Sequence, residues 1–143
     1  MAITYGMDSV ERIQRGEEYI GVALGNEHEV NPISSTIAYH LVVSAKECII
    51  IVLHNHPSLS NFSLSDVQFL LQYANIKMIV VVTNLGSISY LVKGKEYAYE
   101  KAVALFNEAV DANNEARNLK ELQKVADYFL KNCYRAGIKY ENR

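Results

Sequence analysis

Residues 48–53, Cys-Ile-Ile-Ile-Val-Leu, are apolar at every position and pass directly into His54-Asn55-His56-Pro57. A run of strand length that does not alternate predicts a central strand covered on both faces. A second segment, 76–83, predicts another buried strand; Asn84 to Ser87 form a turn, and 88–92 complete a hairpin. Between the two strands, Ser63-Leu64-Ser65-Asp66 ahead of Val67 has the form of a helix start, with Ser63 as N-cap and Asp66 at the third helical position. Upstream, residues 18–24 predict a strand stopped at Gly25-Asn26, and 28–33 a short paired strand broken near Pro32. Ser34-Ser35 then open a helix that runs to about Lys46. The pattern is that of an α/β domain built on one central sheet.

After Lys93-Gly94 the character changes. Ala98, Ala102, Leu105, Phe106, Ala109 and Val110 recur at helical spacing, as do Leu119, Leu122, Val125, Ala126, Phe129 and Leu130. Asn113-Asn114 marks a break between two amphipathic helices, and Gly137 is suited to end the second. Residues 1–94 therefore read as the domain, and 95–143 as a helical extension that packs on it or serves protein contacts, self-association included.

Composition narrows the classes. At 143 residues, half of them apolar, the chain can bury one core without disulfides or structural metals. A net charge of −2 and a pI near 6.1 provide no basic field for a phosphate backbone, which argues against nucleic acid as a partner. Cys48 and Cys133 lack metal-type spacing and read as free thiols, Cys48 within the buried strand. No leader pattern opens the chain and no apolar run approaches ~20 residues, so the cytoplasm is the expected location and a membrane is not.

The chemistry is concentrated where the central strand opens into a loop. In an extended segment side chains two apart project to one side, so His54 and His56 can face one point, and Asp66 at the next helix start can close it. Two imidazoles and a carboxylate suit a catalytic zinc, which takes three protein ligands and leaves a position for water. Ser63 and Asp66 also satisfy the simpler pattern of a capping box. His28 and His40 read as ordinary surface or core histidines.

His-x-His-Pro followed by Ser-x-x-Asp, with a glutamate on an upstream strand, resembles the JAMM/MPN metalloprotease family, and His-Asn-His-Pro-Ser is most similar to its bacterial RadC-like branch. The likeness spans roughly residues 18–92. It implies a cytidine-deaminase-like central mixed sheet flanked by helices, with zinc on His54, His56 and Asp66. It further implies Glu18, which opens Glu-Tyr-Ile-Gly-Val-Ala-Leu-Gly, as the general acid/base, and Ser63 as hydrogen-bond donor to the oxyanion. The implied reaction is hydrolysis of a peptide or isopeptide bond, with a peptide or ubiquitin-like protein as substrate. Alternatives within the resemblance are a scaffold module of a bacterial or phage assembly, or a RadC-like DNA-associated protein. The loop from Pro57 to Phe62 is one residue shorter than is usual in the family and lacks its glycine and second proline.

Overall fold

The structure is a computed structural model that describes residues 1–17, 19–25, 30–56, 61–113 and 118–143. Its centre is a six-stranded mixed sheet of β1 (Ala2–Gly6), β2 (Ile20–Ala23), β3 (Ile50–His56), β4 (Ile76–Thr83), β5 (Ile88–Lys93) and β6 (Ile138–Asn142). The strand order is β2-β1-β3-β4-β5-β6. β3 and β4 run parallel, and every other neighbouring pair is antiparallel. The helices are α1 (Ser9–Gln14), α2 (Thr36–Ser44), α3 (Leu64–Gln72), α4 (Tyr99–Ala112) and α5 (Leu119–Asn132).

The strongly patterned elements form where their residues predict them. Ser35 caps α2 by accepting from the Ala38 amide at 3.3 Å, and β4, its turn and β5 follow the 76–92 reading. Two strands were not foreseen. Ala-Ile-Thr-Tyr-Gly at the start is short and carries a threonine and a glycine, yet β1 lies between β2 and β3 and pairs with both. Ile138-Lys139-Tyr140-Glu141-Asn142 becomes the edge strand β6 directly after Gly137, whose φ of 75° turns the chain out of the preceding 3-10 turn. Residues 28 and 29 of the segment expected as a paired strand lie outside the described residues, and Pro32–Ser34 form a 3-10 turn.

Two further expectations are corrected. β3 is covered on one face only: Ile50 and Val52 are fully buried beneath the helices, whereas Ile51 and Leu53 are half-buried on the other side. Cys48 precedes the strand and is exposed. Residues 95–143 also contribute to the core. Leu105, Val125, Phe129 and Ile138 share one hydrophobic cluster with Val52, Leu70 and Ile79, and β6 extends the sheet at β5. Gly21 lets α2 approach β2, since a Cβ there would lie 2.4 Å from the Ala38 amide nitrogen.

Candidate metal centre

The site lies at the carboxyl end of β3, where β3, α3 and β4 form a parallel crossover unit. Crevices at this end of a strand are the usual binding places of open α/β sheets. Ile50, Val52 and His54 alternate onto the helix-covered face, and His56 continues the row, so both imidazoles point toward the start of α3. Their rings meet edge to face with centroids 4.8 Å apart.

Asp66 arrives from the other wall. Its Oδ1 is 3.1 Å from His54 Nε2, and its Oδ2 is 3.4 Å from His56 Nε2. One ligand atom from each of the three residues lies within 4.8 Å of the others. Burial pushes the Asp66 carboxyl up, but the hydrogen bonds from His54 and His56 and from the Ser63 amide outweigh it, holding the group ionised well below its ordinary value.

Ser63 forms the capping box that its spacing to Asp66 predicts. Its amide donates to Asp66 Oδ2 at 2.7 Å and its hydroxyl donates to the same oxygen at 2.8 Å, while its Oγ accepts from the Asp66 amide at 3.3 Å. This reciprocal arrangement lets Ser63 hold a ligand in position.

Glu18, expected as the acid/base, lies outside the described residues, as does His28. Around Glu18, Tyr19 carries Arg12 over its ring at 4.2 Å, and Ile20 pairs with Tyr5, which pairs with Ile51. The residue of β2 level with His54 is Ala23, through Ala2 of β1. Ile20 therefore sits roughly 10 Å further along the strand direction and two strand spacings away from the imidazoles. His40 is on the exposed side of α2 and brings no ligand here.

Several residues of the site carry no local signal. Val30, Pro32, Val52, Phe69 and Ile79, with His54 and Asp66, enclose a cavity of about 230 Å³ beside the ligands. The chain entering α3 is tied to the C-terminal segment. Gln123 Nε2 donates to the Phe62 carbonyl at 3.0 Å, the fully buried Phe62 ring packs edge-on to Tyr140 at 6.2 Å, and Asn61 bonds the Tyr140 hydroxyl. These partners are 61 to 79 residues apart in the chain, beyond any local pattern. A larger cavity, about 530 Å³, lies at the opposite end of β3 around Asp8, Arg12, Tyr19, His40 and Glu47. There Arg12 is already paired with Asp8 at 2.8 Å, and no ligand cluster forms among the described residues.

No family model fits this chain, and it matches neither a curated protein nor a solved structure.

Proposed function

We propose that the chain is a zinc-dependent hydrolase of peptide or isopeptide bonds, with the ion held by His54, His56 and Asp66. The observation that carries this reading is the convergence of the three ligand atoms within 4.8 Å at a crevice. Ligand atoms about 2.1 Å from a tetrahedral ion stand roughly 3.4 Å apart. The imidazole-to-carboxylate separations, 3.1 Å to one carboxylate oxygen and 3.4 Å to the other, are close to that spacing, and the donor types are those of catalytic zinc. When bound, zinc would supply a Lewis acid for a carbonyl oxygen and lower the pKa of a water to about 7.

The chain's own groups supply the rest. Asp66 is ionised and fixed by Ser63, so it needs no reorganisation to act as a ligand. The adjoining cavity, about 230 Å³ and mostly apolar, exceeds the ~150 Å³ that accommodates benzene in an engineered core. It would take one apolar side chain of a polypeptide and thereby set the neighbouring amide against the ligands. The resemblance assigns proton transfer to Glu18.

Metal analysis of the purified chain is expected to find a single zinc, lost in His54→Ala, His56→Ala and Asp66→Ala. Zinc is expected to restore cleavage to the metal-free protein against a panel of peptides and ubiquitin-like fusions. A folded metal-free protein that takes up no zinc would end the reading. Zinc content is expected to be unchanged in Glu18→Gln, and loss of turnover in that variant is the result that would assign it proton transfer.

A further inference from the structure

The two faces of the sheet are unlike. The core cluster, to which α2, α3, α4 and α5 all contribute, lies on the face that carries Val52, Ile79 and Leu91. On the opposite face the registers align Val22, Ile3, Leu53, Val80, Tyr90 and Glu141 into one row across all six strands. The adjoining row is Ile20, Tyr5, Ile51, Met78, Val92 and Lys139. None of the ten hydrophobic or aromatic residues in these rows belongs to the core cluster or packs against it. Ile20 and Val22 are exposed, and the other eight are half-buried.

This is far from a usual solvent face. An antiparallel pair with one wet side alternates apolar and polar residues, but here the side away from the helices carries apolar or aromatic residues on five strands in both rows. At ~4.8 Å between strands and ~7 Å between rows, the two rows run roughly 25 Å across the sheet and lie about 7 Å apart before side-chain girth is added. The chain's accessible surface is 8800 Å², against ~7400 Å² for a compact monomer of 16.1 kDa. The excess, roughly 1400 Å², is larger than the ~800 Å² that each partner contributes to a standard interface.

We infer that this face is a homodimer interface in which two copies pack sheet to sheet. The charges identify the occupant. Lys139 and Glu141 are the charged members of the rows, both on β6, and their side chains meet at 2.8 Å. A two-fold axis lying in the interface, across the strands and between the rows, sets each row on the other row of the second copy. Apolar residues then meet apolar residues, and Lys139 of each copy meets Glu141 of the other. Sheets packed in this way stand about 10 Å apart with strands within about 30° of alignment, close enough for the β6 side chains to reach across. The same surface on both copies becomes self-complementary, as a two-fold contact requires.

Sedimentation equilibrium of the full chain tests this, with circular dichroism and thermal unfolding as checks of the fold. The expected result is a dimer at micromolar concentration. Val80→Glu, at the centre of the face, is expected to give a folded monomer. Lys139→Glu, on the surface, is expected to weaken the dimer at least about tenfold, and the exchange Lys139→Glu with Glu141→Lys to restore it. A wild-type chain that stays monomeric at about 100 µM overturns the inference and gives the face to a different partner. A dimer that survives Val80→Glu places the contact elsewhere, and an exchange that fails to restore association removes the two-fold arrangement.

Discussion

Ser63 directs its hydroxyl proton and its amide to a single oxygen of Asp66, so the residue to which the resemblance gives an oxyanion role also holds a ligand in place. Ser63→Ala is expected to lose about 1 kcal/mol of stability with the cap and to weaken zinc binding by ~10-fold or more, measured by chelator competition. A variant with unchanged zinc affinity would show that Asp66 holds its place without that hydrogen bond. Lys93 was invisible in the sequence, where Val-Lys-Gly resembled the wet end of a hairpin. It is 1% exposed, donates to the Tyr73 carbonyl at the end of α3 at 3.0 Å, and lies 5.0 Å from the centre of the Tyr97 ring. Burial lowers its pKa from 10.5 to about 8, so the folded chain holds this proton less tightly than the unfolded chain does. The cost is constant below pH 8, and stability is regained as pH rises from there toward 10.5. Relative to Lys93→Met, the wild type should gain about 3 kcal/mol across that window, read as a shift in urea midpoint.

At the scale of elements, α3 is held at both ends by charge: Asp66 in its first turn and the Lys93 ammonium at its last carbonyl. Its start was legible because a cap is local chemistry between residues three apart. The apolar runs of β3 and β4 were legible for a similar reason, since hydrophobic pattern alone specifies a strand. Two things lay outside such patterns. β1 is placed inside the sheet by partners on both sides, not by its own composition, and a continuous apolar run does not say whether a second layer exists. Gly21 shows the other kind of hidden constraint, a strand glycine required by a helix passing over it. Gly21→Ala is expected to force α2 off β2 and to cost about 1–3 kcal/mol, visible in thermal unfolding. An unchanged melting temperature would mean that α2 moves aside freely.

Across the whole molecule, the C-terminal segment completes the sheet and also holds the entry to α3. The site's ligands were readable from residue chemistry, but their support from Gln123 and Tyr140 was not, because it exists only once the chain has folded. Gln123→Ala is expected to leave the fold intact and reduce zinc affinity several-fold, whereas Phe62→Ala opens a cavity in the core and should cost about 3–5 kcal/mol in denaturant unfolding. Equal zinc affinity in wild type and Gln123→Ala would show that the loop is fixed without α5. The strand order carries a kinetic consequence. β1 pairs with β3, and β5 with β6, across about fifty residues of intervening chain, so two of the five strand pairings close through distant contacts. Such topologies fold in milliseconds to seconds, not microseconds. During synthesis the first strand must wait for β3 to emerge, leaving one edge of β1 unpaired and open to neighbouring chains until His54 reaches its partner Ala2.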